Sequence, residues 1–386
     1  MTSSSGAEPK AGPAFVIAHT VFRLAQATTV ASMISFLLVL ALGLFVEEGP
    51  EVLPPGWPAG RLVAEALLPT LAALGLGLLV IGPARTAQQI TLAGLLIRAG
   101  EQPGAGLAVP DPRGPVSRRP YLISMITAVG LLIAAPVVLG VAFDRLDGSR
   151  PVVISAAALL VGAVIAIPCL VIADRRWRAE ALPRLAGHLT PEPPAAAGLR
   201  DKVTRSDQGR FRPVAWLYVL GTVALLIVNW LRNPDSGRVS VDRGTVLASV
   251  IEWLVIIGCV MIVLAAVANL LVRLIRAIAG LIRLGGLINA PVDPARPADP
   301  APADADPAGQ LSLVLAGFGV VVGEWLFALN RLSSIPYPSL AGLAAALPMI
   351  NIAWLALMII VAVGTAAACR FAGWARNRLR GVLSDA

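Results

Sequence analysis

Residues 245–272 read TVLASVIEWLVIIGCVMIVLAAVANLLV, with a single charged side chain, Glu252. A run of about 18 or more apolar residues is long enough, at 1.5 Å rise per residue, to cross a ~30 Å hydrocarbon core as one helix. The stretch ends at Arg273, and 273–284 follows as RLIRAIAGLIRL, so positive charge sits directly behind the apolar run. That sequence of features recurs along the chain.

Seven further runs of the same kind lie at 28–46, 62–82, 121–143, 151–173, 213–231, 311–329 and 347–369. Composition agrees. Of 386 residues, 57% are hydrophobic and 14% charged, against about 25% charged in a soluble domain. A chain this long cannot cover a water-facing surface with so little charge. The expected fold class is all-α, a polytopic helical membrane protein of about eight transmembrane helices. They are arranged as hairpins with basic amphipathic cytoplasmic segments.

Orientation follows from the basic residues. The termini and the long connections 83–120, 174–212 and 273–310 hold 24 of the 31 Lys and Arg. The short connections 47–61, 144–150, 232–244 and 330–346 hold the other 7. The positive-inside rule then places the termini in the cytoplasm, N-in and C-in. Abundant Ala, Arg, Pro and Gly read as GC-rich coding, which points to a bacterial plasma (inner) membrane. The first apolar run is too long for a signal-peptide core and no A-x-A site follows it, so it is expected to be retained.

The chain divides accordingly. A cytoplasmic tail, 1–27, carries a short interfacial helix over 15–27. Membrane helices 1–4 occupy 28–173, a basic cytoplasmic loop 174–212, and membrane helices 5–8 residues 213–369. A basic tail, 370–386, ends the chain. Within the second half, 273–287 is expected as a separate helix on the inner leaflet. On a helical wheel Arg273, Arg276 and Arg283 share one arc while Leu274, Ile275, Ile278 and Ile282 share another. The three arginines are the candidate contacts to anionic lipid headgroups. Residues 291–307, PVDPARPADPAPADADP, have no means of forming a core and read as an extended linker. Basic segments beginning at Arg85, Arg175, Arg273 and Arg370 hint at a repeated hairpin unit.

Acidic residues inside apolar runs are the candidate chemistry, since burying an ionisable group there is unfavourable unless it has a role or a partner. Three occur: Glu65, Glu252 and Glu324. Glu65 lies 20 residues before Arg85, about 30 Å along a helix, which puts it at the outer headgroup level. Glu324 precedes Arg331 by seven residues, about 10 Å, and so lies inside the core. It follows Gly319-x-x-x-Gly323, a small-residue face that permits close helix approach. Asn229, Glu252 and Asn351 are its expected partners. A proton or cation site competes here with a structural hydrogen bond between helices. Trp230, Trp253, Trp325 and Trp354, one per span near the outer end, read as an interfacial belt.

Other chemistries find no support. There is no GxxxxGK[ST], GxSxG or HExxH motif. Cys169, Cys259 and Cys369 are far apart with no CxxC, and His19 and His188 stand alone. No catalytic residue, cofactor or metal is expected, and the chain is not expected to be an enzyme. The basic loop 174–212 is too short and Pro-broken for nucleic acid, so its expected partner is the bilayer. Two functional readings remain. One is a transporter or channel-like permease with intramembrane carboxylates. The other is a non-catalytic membrane scaffold or subunit of an envelope complex.

Overall fold

A computed structural model of the chain describes residues 13–48, 58–99, 115–145, 150–176, 213–228, 246–289, 307–333 and 341–384, with the single positions 179 and 230. The expected linker 291–307 apart from Pro307, almost all of the basic loop 174–212, and Asn229 lie outside the described residues. So do the side chains of Arg283 and of the basic tail.

Eight helices make up the described chain: α1 (Pro13–Glu48), α2 (Ala59–Ala99), α3 (Pro115–Arg145), α4 (Arg150–Arg176), α5 (Pro213–Val228), α6 (Val246–Asn289), α7 (Pro307–Ser333) and α8 (Ala341–Ser384). No strand occurs among the described residues. Seven helices are long and apolar enough to span a membrane, and α5 is a shorter apolar helix. The polytopic helical fold read from hydropathy is therefore present.

Element boundaries differ from expectation in one consistent way. The short helix expected over 15–27 and the first span are one helix, α1, which starts at Pro13, a residue suited to the first helical position. The surface helix expected over 273–287 is likewise the unbroken continuation of span six within α6. Basic segments after spans two and eight continue α2 and α8. The physical reason is clearest in α6, whereas α2 runs on through Pro83. No proline separates span from basic segment in α6, and Arg, Leu, Ile and Ala propagate a helix readily. Ending a helix at the interface would also strand four backbone carbonyls. The apolar stretch Ser249–Ile282 covers 34 residues, about 51 Å of helix, which exceeds the ~30 Å core.

Consecutive helices pack as hairpins: α1 with α2, α3 with α4, α5 with α6, and α7 with α8. α1 is central, touching α2, α6, α7 and α8. The α3–α4 hairpin joins the bundle through α2. Buried positions are filled largely by alanine, including Ala27, Ala66, Ala128, Ala163 and Ala328. Small residues let backbones approach closely, which is how helices associate where hydrophobic exclusion from water is absent. Outward faces are the reverse. Ile126, Ile133, Ile154, Met349 and Ile360 are exposed, an arrangement suited to acyl chains and not to water.

Candidate functional site

The site is built where α1, α2 and α7 converge. α1 contributes Ser32 and Ser35, three residues apart and therefore on one helical face. α2 contributes Thr70, which follows Pro69. α7 contributes Glu324, one position after Gly323. Ser32 Oγ donates to Glu324 Oε1 at 2.5 Å, and Thr70 Oγ1 lies 3.3 Å from Oε2. Ser35 Oγ is 3.4 Å from Thr70 Oγ1. All three hydroxyl residues are fully buried and Glu324 is 5% exposed. No cationic side chain pairs with Glu324 among the described residues.

Counting hydrogens constrains this cluster. Thr70 has one hydroxyl hydrogen, yet its oxygen also lies 2.8 Å from the Ala66 carbonyl. One hydrogen cannot serve both acceptors. With Glu324 ionised, Thr70 turns its hydrogen to Oε2. With Glu324 neutral, the carboxyl O–H donates to Thr70 and Thr70 donates to Ala66. Ser32 donates to Oε1 in both. The cluster accommodates either form without orphaning a buried polar group, and the two forms differ by one proton.

Neighbouring contacts fix the position of Glu324. Trp354 of α8 packs its ring over Gly323, where an added Cβ would lie 2.6 Å from Cζ2. Its indole N–H donates to the Gly319 carbonyl at 2.7 Å. Gly319-x-x-x-Gly323 thus receives a tryptophan from α8. Trp354 is a bridge between α7 and α8 and not simply a member of an outer belt. Trp325 packs against the cluster of Val39, Ala66 and Ala328. Trp230 and Trp253 remain exposed, as a belt requires.

Of the expected partners of Glu324, Asn229 lies outside the described residues, and Asn351 and Glu252 make no bond to it. Asn351 exchanges reciprocal amide hydrogen bonds with Asn330, both at 3.0 Å. Glu252 is half-buried and makes no hydrogen bond or ion pair among the described residues. Glu65 pairs with Arg331 at 3.4 Å near the end of the bundle, in keeping with a headgroup-level position. From Arg331 to Glu324 is about 10 Å of helix, so the buried cluster lies well below that pair. Glu324 was marked by the charge in its apolar run, whereas Ser32, Ser35 and Thr70 were not singled out, being hydroxyl groups in otherwise apolar spans.

Beside the cluster runs a groove of about 520 Å³ lined by α1, α2, α7 and α8. Leu24, Pro69, Leu76, Phe327 and Met358 make its walls apolar, while Thr28 and Glu324 are its polar points. Towards the chain's N-terminal side, His19 Nδ1 and Gln88 Nε2 lie 2.7 Å apart and Arg85 donates to Gln88 Oε1. The Arg85 guanidinium also stands 5.0 Å over the Phe22 ring, tying α1 to α2. No group of His, Cys, Asp and Glu suited to a metal occurs among the described residues. Comparison with family models, curated proteins and solved structures finds no match.

Proposed function

We propose that this chain is a permease-type carrier of the plasma membrane for amphipathic solutes, with Glu324 as its proton- or cation-binding group. One observation supports it above the others: a groove of about 520 Å³, apolar on every side, has a buried carboxyl on its wall. An apolar groove favours a ligand with an apolar body, and a carboxyl paired with no cationic side chain among the described residues favours one bearing a positive or hydrogen-bond-donating group. Because the surrounding hydroxyls accept Glu324 in either protonation state, a proton and a cationic ligand can exchange on it without disrupting the bundle.

Tetraphenylphosphonium is a suitable probe, being a cation with an apolar shell. Purified protein in detergent should bind it, more weakly as pH falls and protons compete. Glu324→Gln should weaken binding at least about tenfold. Absence of binding, or equal binding by Glu324→Gln, overturns the reading.

A second reading, a non-transporting scaffold or envelope-complex subunit, is favoured by a different observation. Both Glu324 oxygens are engaged, Asn330 and Asn351 are mutually paired, and Trp354 is bonded to Gly319. These are the contacts of a bundle held rigid, and lipid would then fill the groove. Under this reading the probe does not bind and Glu324→Gln is silent.

A further inference from the structure

A second groove, of about 200 Å³, lies between α1, α6 and α7 and shares no lining residue with the first. Its walls are apolar, with Val30, Ile34, Val267, Val314 and Phe318 among them. At one end, however, sit Asn269 and Arg273. The helices fix which end. Cys259 Sγ contacts the Ala41 carbonyl at 3.0 Å, marking a crossing of α1 and α6. Moving from that crossing towards the N-terminus of α1 and the C-terminus of α6 brings Arg273 level with Ala27. The remaining length of the groove along α1, from Ala27 to Leu38, is about 16 Å. That is close to the depth of one leaflet, about half of the ~30 Å core.

We infer that this groove holds one anionic phospholipid, an acyl chain lying along α1 and the phosphate meeting Arg273. Apolar walls of leaflet depth ending in a guanidinium match the two parts of such a lipid in order. Arg273 Nε donates to Asn269 Oδ1 at 2.8 Å, which holds the guanidinium plane at the groove's end. A guanidinium is a planar fork of donors that matches a phosphate, a geometry lysine does not reproduce. Arg276, one turn further, adds a second positive charge on the same side. The three arginines read from sequence as a surface patch thus divide: Arg273 belongs to a groove between helices.

Full-length protein in detergent tests the inference, with phosphatidylglycerol and phosphatidylcholine of identical chains as probes. Phosphatidylglycerol should raise the Tm by about 3–5 °C, and phosphatidylcholine by less than half of that. Arg273→Gln should reduce the phosphatidylglycerol shift to the phosphatidylcholine value. Val267→Trp, at an exposed groove position, should reduce the shifts by both lipids. Glycerol phosphate, which lacks chains, should give no shift. Native mass spectrometry should show one retained phosphatidylglycerol, lost in either variant. Equal shifts by the two lipids, or a phosphatidylglycerol shift surviving Arg273→Gln or Val267→Trp, overturns the site. Glu324→Gln should leave the lipid shifts unchanged, so this test and that of the permease reading fail independently.

Discussion

At the scale of single residues, Glu324 and Glu65 separate two uses of a carboxyl in a membrane protein. Glu65 faces Arg331 near the bundle end, where both are partly exposed. A pair of that kind adds little stability. Glu324 is enclosed by hydroxyls, and removing it orphans Ser32. Glu324→Leu should therefore destabilise the protein in detergent by about 1 kcal/mol, since buried hydroxyls left unpaired are costly yet interhelical hydrogen bonds in bilayers average only about 0.6 kcal/mol. Glu324→Gln retains an acceptor for Ser32 and a donor for Thr70, so its change should stay within about 0.5 kcal/mol. Thermal unfolding of the purified variants checks both, and a Leu variant as stable as wild type would remove the structural account. The position of Glu324 was legible in the sequence because a charge interrupts an apolar run. Its partners were not. Hydroxyls in a span can satisfy themselves on their own helix, as Thr29 does on Ala25 and Thr365 on Val361, so their presence gives no sign of an interhelical role.

At the scale of elements, the distinctive feature is length. α2, α6 and α8 run 41, 44 and 44 residues, well past the roughly 20 needed to cross a bilayer. Continuity of α6 through Arg273 is testable by distance. Spin labels at the exposed positions Ile257 and Ile282 should lie about 37 Å apart along one helix. A helix turned flat onto the leaflet at Arg273 would bring them to about 28 Å. The shorter distance would restore the separate surface helix. Amphipathic periodicity grouped Arg273, Arg276 and Arg283 on one arc but was silent on whether the chain bends before it. Periodicity is a property of the wheel, and a wheel carries no information about the axis.

At the scale of the whole molecule, α1 is the helix about which the bundle is arranged, and both grooves run along it on different faces. Such an arrangement makes its orientation decisive for what each groove meets. The positive-inside rule predicts termini in the cytoplasm; in that orientation the groove ending at Arg273 would open to the inner leaflet and the Glu65–Arg331 pair would lie outside. In a background lacking Cys169, Cys259 and Cys369, single cysteines at Asp147 and Asp235 should label with an impermeant maleimide in intact cells. Cysteines at Arg118 and Arg205 should stay unlabelled. The reverse pattern would invert the protein and place the Arg273 groove in the outer leaflet.

The sequence by itself determined that this is a chain of membrane-crossing helices, where the helices after the first begin within several residues, and which carboxyls stand in apolar runs. These are local properties, because the free energy of placing a helix in hydrocarbon is a sum over its own residues. Only the tertiary structure decided that Glu324 meets Ser32 and Thr70, separated from it by 292 and 254 positions. It alone also paired Asn351 with Asn330, seated Trp354 in the Gly319–Gly323 face, and set Arg273 at the end of a groove. Contacts of this kind depend on which helix faces are brought together. Among small residues in lipid that choice is made by shape and by a few hydrogen bonds, and hydropathy does not encode either.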